Sequence, residues 1–145
     1  MRKIIYLILL ILFMHALNII PHNTAIAEVI IIVNKDVTME FIEKSTISNI
    51  YFGNMTKWPD GQTIHVVMLK KGKTHETFVY KLLKSTPSKL KSYWKKVVFT
   101  GIGVRPKIFK KEEDMVDYIS KTKGTIGYID HSVSHESVKT LKIKQ

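Results

Sequence analysis

Two stretches of this sequence carry residue types that bind anions, and the first is the basic loop at residues 70–75. The loop follows the apolar run 64–69 and combines three lysines with a glycine, a threonine and a histidine. A loop that joins a strand to a helix places backbone N–H groups and cationic side chains at one edge of a sheet. The candidate ligand-binding residues are therefore Lys70, Lys71, Gly72, Lys73, Thr74 and His75. The alternative is a plain basic connection without a ligand.

The second stretch is the glycine-bearing loop that includes Thr100, Gly101, Gly103 and Arg105. Such a loop with one arginine can line the mouth of an anion site, because the guanidinium group offers several N–H donors. Thr100, Gly101 and Arg105 are therefore further candidates for ligand binding. The alternative is a connection in which the glycines serve only the backbone geometry.

Catalytic and metal-binding patterns are weak in this sequence. The pair His131 and His135 has a spacing of four residues beside Asp130, but Ser132, Val133 and Ser134 between them do not favour a helix. No arrangement of serine, histidine and aspartate, or of cysteine and histidine, can be identified. We expect no enzyme activity, no metal and no cofactor.

The charge of the chain is strongly positive. It has 23 lysines and arginines against 12 acids, a formal net charge of +11. This excess favours anionic partners, although a solvated lysine coat would also explain it. Bidentate arginine contacts are scarce, because Arg105 is the only arginine beyond Arg2, and no lysine run exceeds two residues. A nucleic-acid partner is therefore not expected.

The first 27 residues have the pattern of a signal peptide. Arg2 and Lys3 precede an apolar run over residues 4–14, and Ala25-Ile26-Ala27 has the small residues of a cleavage site. Removal of this segment leaves residues 28–145 as one domain outside the cytoplasm, periplasmic or otherwise, with no membrane span. An uncleaved membrane anchor is the alternative. The absence of cysteine means that no disulfide supports the domain.

Hydrophobic periodicity predicts an α/β domain. The turn at Trp58, Pro59 and Gly61 follows a helix that Gly53 ends. Strands are predicted at 29–33, 64–69 and 126–129, with a short run at 107–109 and a half-exposed edge strand at 138–143. Helices are predicted at about 43–52, after an N-cap at Thr74, from a cap at Ser88 to about 97, and at 112–121.

Three segments in order resemble one known family. They are Ile50-Tyr51-Phe52-Gly53-Asn54 with Trp58 and Gly61, then Ser92-Tyr93-Trp94 with Phe99-Thr100-Gly101, and then Lys123-Gly124-Thr125-Ile126-Gly127-Tyr128. Together they resemble the phosphate-transporter type of periplasmic substrate-binding protein, of the type 2 superfamily. The resemblance implies a single three-layer lobe with a mostly parallel sheet between helices.

The resemblance also implies a binding loop, which this chain alters. Thr74 matches the phosphate cradle of that family, His75 takes the place of the arginine that follows it, and Glu76 and Phe78 match the glutamate and phenylalanine after that. Lys71-Gly72-Lys73 replaces a stretch of small residues. The chain is too short for the two lobes of a full receptor. A protein partner that supplies the missing lobe is therefore one expectation.

The resemblance implies an exported, non-catalytic module that binds phosphate or another small anion in transport or sensing. The alternative function is a lysine-rich envelope protein that has lost the small-ligand site. Such a protein would bind a protein partner or a polyanion through its charge.

Export gives the first testable prediction. We expect the protein purified from its host to begin at Glu28, because the apolar run and the small residues at 25–27 form a cleavage signal. N-terminal sequencing or intact mass measurement checks this. A product that begins at Met1 and sediments with membranes would show that the segment is an anchor.

Overall fold

The computed structural model describes residues 27–144. The segment predicted as a signal peptide therefore lies outside the described residues, apart from Ala27. The strands are β1 (Val29–Val33), β2 (Phe41–Glu43), β3 (His65–Leu69), β4 (Lys107–Phe109), β5 (Thr125–Asp130) and β6 (Lys139–Lys144). The helices are α1 (Lys44–Tyr51), α2 (Lys73–Lys81), α3 (Pro87–Phe99) and α4 (Glu112–Lys121).

The six strands form one mixed sheet in the order β2-β6-β1-β5-β3-β4. The β2–β6, β3–β5 and β3–β4 pairs are parallel, whereas β1 is antiparallel to both β5 and β6. The sequence predicted β1 as a buried strand of a parallel sheet. The burial was right, but the predicted direction of β1 relative to its neighbours was wrong. Its run of β-branched residues indicates burial on two faces, and burial does not depend on the direction of the neighbouring strands.

Helices cover both faces of the sheet, as the neighbours of two adjacent residues in β5 show. A Cβ atom added to Gly127 would meet Ile119 and Met115 of α4. The ring of Tyr128 lies against Phe78 of α2, with ring centroids 3.7 Å apart. Successive residues of a strand point to opposite faces, so α4 and α2 lie on opposite sides. The predicted three-layer α/β lobe is confirmed.

Two predicted helix caps were wrong. Helix α2 has Gly72 at its N-cap with a φ of 113°, so Thr74 lies inside the first turn. Helix α3 is capped by Thr86, whose side chain accepts a hydrogen bond from the backbone N–H of Lys89, and Pro87 opens the helix. Ser88 therefore lies inside α3. A proline at the first helical position needs no hydrogen-bond partner, and this favours the earlier start.

The last strand was predicted as an edge strand, and that prediction was also wrong. Strand β6 lies between β1 and β2, because the three residues of β2 pair with Lys142, Ile143 and Lys144. The alternation of apolar and lysine residues in β6 reflects one exposed face rather than a free edge. Strand β2 was not predicted, since three residues are too few to show a period.

The segment between α1 and β3 is fastened to the sheet by Trp58. Gly53 ends α1 with a φ of 67°, as predicted for a left-handed residue. The indole N–H of Trp58 donates a hydrogen bond of 2.9 Å to the carbonyl of Gly124, and the side chain is 2% exposed. A Cβ atom on Gly124 would lie 2.3 Å from the carbonyl oxygen of Thr63. The segment can therefore pack closely only against a glycine.

Substitution of Trp58 should destabilise the domain strongly. We expect Trp58→Ala to lower the free energy of unfolding by about 3 to 5 kcal/mol, because it removes a buried ring and leaves a cavity. Trp58→Phe keeps most of the ring but loses the hydrogen bond, which costs about 1 to 2 kcal/mol. Urea unfolding measures both values. Val104→Ala, at a side chain that is 91% exposed, is the control and should change little. Equal stability of W58A and the parent protein would contradict the role of Trp58 in fastening this segment to the sheet.

Candidate functional site

A cleft of about 630 Å³ lies between α3, the carboxyl end of β3 and the chain that leads from Arg105 to Ile108 of β4. A volume of this size falls within the range of small-molecule sites. The lining residues come from β3 and the residue after it, from α2 and α3, and from the segment that leads into β4. They are Met68, Leu69, Lys70, His75, Pro87, Ser88, Leu90, Lys91, Trp94, Lys95, Val98, Phe99, Arg105 and Ile108.

The cleft carries four cationic side chains over an apolar floor. Lys70 follows β3, Arg105 precedes β4, and Lys91 and Lys95 lie on α3. The two lysines of α3 are four residues apart, so they share one face of the helix. No aspartate or glutamate is among the described residues that line the cleft. The electrostatic potential of the cleft is therefore positive.

Trp94 contributes apolar surface to the cleft and also has a buried donor without a partner. It is a buried residue of α3 that lines the cleft, and Tyr93 beside it packs edge-on against its ring. Within residues 27–144 the indole N–H of Trp94 is buried and has no hydrogen-bond partner. A buried donor without a partner costs about 1 to 3 kcal/mol. An acceptor atom of a ligand that reached this group would recover that free energy.

His75 is held in place by Tyr128. The hydroxyl of Tyr128 accepts a hydrogen bond of 3.1 Å from the backbone N–H of Leu69 and lies 2.6 Å from Nδ1 of His75. The hydroxyl oxygen can accept a second hydrogen bond or donate its own proton, so it can pair with either tautomer of the neutral imidazole through Nδ1. Burial lowers the pKa of His75, and the charge of Glu76 opposes that shift only partly. His75 gives the cleft a neutral side chain at pH 7.

The first turn of α2 is already occupied by a carboxylate of the chain itself. Oε1 of Glu112 accepts a hydrogen bond of 2.7 Å from the hydroxyl of Thr74, and Oε2 accepts one of 2.6 Å from the backbone N–H of Asp130. The Thr74 side chain is buried beneath this contact. An external anion at Thr74 would meet a negative charge, so the first turn of α2 is a poor seat for an anion.

The structure brings together three of the residues that the sequence selected. Lys70, His75 and Arg105 line the same cleft, although 35 positions separate the first from the last. The other selected residues do not line it. Lys71, Gly72, Lys73, Thr100 and Gly101 are exposed, and Thr74 is buried against Glu112.

The sequence did not select Lys91, Lys95 or Trp94 as ligand-binding residues. Lys91 and Lys95 are separated by one helical turn in a segment without acids, and this spacing was the available signal. Trp94 has the periodicity of a core residue and is one. Its place at the cleft depends on how α3 packs.

Residues 27–144 contain no group of three or more histidine, cysteine, aspartate and glutamate side chains placed to hold a metal ion. The rings of His131 and His135 are 6.4 Å apart between centroids, and the segment between them is not helical. None of the helices in the same residues has the length and apolar character that crossing a bilayer requires.

The fold agrees with a family comparison. A family model described as a PBP superfamily domain matches residues 14–142. Because this match covers most of the chain, the protein belongs to that family. The resemblance that the three sequence motifs predicted is confirmed. A comparison with curated proteins finds no match.

Solved structures with this fold include substrate-binding proteins of phosphate transporters. One, from Clostridium perfringens, is described as a phosphate ABC transporter substrate-binding protein with bound phosphate; it is 20% identical, with a TM-score of 0.63 over 79% of this chain and 44% of that one. PstS from Borrelia burgdorferi is 14% identical, with a TM-score of 0.63 over 81% and 47%. An ABC-type phosphate transport receptor from Vibrio cholerae is 16% identical, with a TM-score of 0.54 over 79% and 45%.

The identities and the coverage define what this likeness shows. The identities show that the fold is shared, and they do not carry a ligand from one protein to another. The chain spans less than half the length of these structures. It therefore corresponds to a short form of the fold.

The neutral state of His75 predicts a pH dependence of stability. A histidine whose pKa is lowered in the folded state stays neutral there while the unfolded chain takes up a proton, so folding loses free energy as pH falls below about 6.5. We expect the free energy of unfolding to decrease from pH 7.5 to pH 5, as urea unfolding at several pH values will show. His75→Gln, whose amide oxygen can still accept from Tyr128, should flatten this dependence. His65→Gln, at an exposed position, is the control and should keep it. If the free energy of unfolding of H75Q depended on pH as steeply as that of the parent, His75 would not be the source of the dependence.

Proposed function

We propose that this chain is an exported, non-catalytic solute-binding module that takes a small anion in the cleft beneath α3. Its membership of the PBP superfamily and its likeness to phosphate transport receptors support a role in transport or sensing. Residues 28–145 form the binding domain in this proposal, and phosphate is one of the ligands to test. No enzyme activity is part of it.

The observation that carries the proposal is the convergence of four cations on one cleft. Lys70, Lys91, Lys95 and Arg105 come from three separate parts of the chain and line it together, with no acid among its described lining residues. Like charges repel one another, so an arrangement of this kind is unfavourable without a counter-ion. A small anion would relieve that repulsion. Arg105 can bind it through two parallel N–H donors, and the lysines act as point charges.

The floor of the cleft favours an anion that also has an apolar part. Leu69, Leu90, Val98 and Ile108 line the same space as the cations. Bare phosphate would leave this surface in contact with water, whereas an aromatic or alkyl group on the anion would cover it. An anionic ligand of mixed character therefore fits the cleft better than inorganic phosphate. The cleft is also a better candidate for the anion than the first turn of α2. The carboxylate of Glu112 already accepts a hydrogen bond from the Thr74 hydroxyl there.

A second candidate is a protein partner in place of the missing half of the receptor. The observation in its favour is the length of the match, because this chain corresponds to only 44% and 47% of the first two solved structures. A partner lobe seated over α3 would close the cleft around its ligand. The same interaction would suit a lysine-rich envelope protein that has lost its small ligand.

Calorimetric titration of residues 28–145 tests the first candidate. Inorganic phosphate, sulfate, benzoate and phenyl phosphate serve as probes. We expect saturation at one anion per domain, with phenyl phosphate bound most tightly because it joins charge to an apolar ring. The fluorescence of Trp94 in a Trp58→Phe background gives a second measure of occupancy.

Variants locate the binding site in that titration. Lys70→Ala and Arg105→Ala should each weaken binding roughly tenfold, since each removes a charge-assisted hydrogen bond. Lys123→Ala is the matched control, because Lys123 is exposed before the first residue of β5, at the opposite end of that strand from the cleft. An equal loss in K123A, or affinity that falls log-linearly and steeply with salt, would indicate diffuse binding of polyanions instead. The absence of saturable binding for every probe would refute the small-anion proposal.

A further inference from the structure

The loop that follows α3 exposes large apolar side chains. Phe99 is 92% exposed, Ile102 82% and Val104 91%, and we refer to these three residues as the apolar tip. Apolar residues scattered singly over a surface are ordinary, but three within six positions form a patch. Phe99 ends α3, and the other two lie in the loop toward β4.

The apolar tip is held in a defined shape by the end of α3. The backbone N–H of Gly101 donates to the carbonyl of Val98, and that of Ile102 donates to the carbonyl of Val97. Gly101 has a φ of 69°, the left-handed conformation that closes many helices. The Thr100 hydroxyl donates to the carbonyl of Lys96. The exposure of Phe99 and Ile102 is therefore a property of this closed helix end.

The stretch of sequence that contains this tip is rich in positive charge. Residues 77–111 contain ten of the 23 lysines and arginines and none of the 12 aspartates and glutamates. Lys95, Lys96 and Arg105 are exposed within a few residues of Phe99. On a helix, residues three and four apart are neighbours, so Lys95 and Lys96 flank Phe99. The apolar tip thus lies in a basic stretch of the chain that contains no acids, with Lys95 and Lys96 beside Phe99.

We propose that the apolar tip docks this protein onto an anionic lipid bilayer. The side chains of Phe99, Ile102 and Val104 enter the boundary between headgroups and acyl chains, and the surrounding lysines and arginine contact the lipid phosphates. Burial of apolar area and attraction to anionic lipids are the two contributions that bind a peripheral protein to a membrane. Nucleic acid would match the charge and leave the apolar side chains in water. A bilayer satisfies both features of the surface.

Phe99, Lys95 and Arg105 belong both to this surface and to the lining of the anion cleft, but the docking can be tested through residues that do not line the cleft. Ile102 and Val104 do not line the cleft, and neither does Lys96. All the helices and strands of the described residues lie between Val29 and Lys144, so residues 28–145 retain them for the experiment. Thermal unfolding of each variant verifies that it is folded.

The test is flotation of residues 28–145 with lipid vesicles. We expect partition onto phosphatidylcholine vesicles that contain about one-third phosphatidylglycerol, much weaker partition onto pure phosphatidylcholine, and a decrease with added salt. The double variant Ile102→Ser with Val104→Ser should lower partition onto the anionic vesicles by roughly tenfold or more, because it removes two inserted apolar side chains. Lys96→Glu should lower it by roughly tenfold through charge alone.

Matched controls are available elsewhere on the domain. Phe41 is an exposed aromatic residue of β2, at the opposite edge of the sheet, and Lys123 is exposed at the opposite end of β5 from the cleft. Phe41→Ser and Lys123→Glu should therefore leave partition nearly unchanged. Full partition by the double tip variant, or equal partition onto neutral and anionic vesicles, would overturn the proposal. A protein that stays in solution with every vesicle would also overturn the proposal. The apolar tip would then be a candidate contact for another protein.

Discussion

The geometry of the cleft depends on the hydroxyl of Tyr128. This residue is fully buried in β5, and its hydroxyl binds both the backbone N–H of Leu69 and the imidazole of His75. Its ring stacks on Phe78, which adds an apolar contact to α2. A buried hydroxyl that loses its partners costs about 1 to 3 kcal/mol, so the end of β3 and the start of α2 are held together by a contact from a third element. One wall of the cleft is thus set by a residue that does not line it.

Several elements of the fold could be predicted from the sequence because their periodicity is local. Strands β1, β3 and β5 are runs of β-branched and apolar residues, and α1 to α4 show apolar residues at helical spacing. The direction of β1 and the central place of β6 depend on pairing between distant segments, which periodicity does not record. The caps of α2 and α3 were misplaced for a different reason. Gly72 and Pro87 define these helix starts through the backbone, whereas the prediction relied on side-chain oxygen atoms.

The candidate site was only partly predictable, because it too depends on contacts between distant segments. Lys70 and His75 were found from a basic loop after a strand, and Arg105 from a glycine-bearing loop. Lys91, Lys95 and Trp94 have the ordinary pattern of an amphipathic helix, and they line the cleft because of how α3 packs beside α2. The contact between Thr74 and Glu112 joins residues 38 positions apart. A sequence pattern within one segment cannot indicate a contact of that kind.

The position of β1 has a consequence for how the chain acquires its fold. The first strand pairs on one side with β5 and on the other with β6, both of which come from the last 21 residues of the chain. Contacts between segments so far apart in sequence form late and slow the folding of a small domain. Strand β1 therefore remains without its two neighbours until residues 125–144 can reach it, so the centre of the sheet is the last part to be completed.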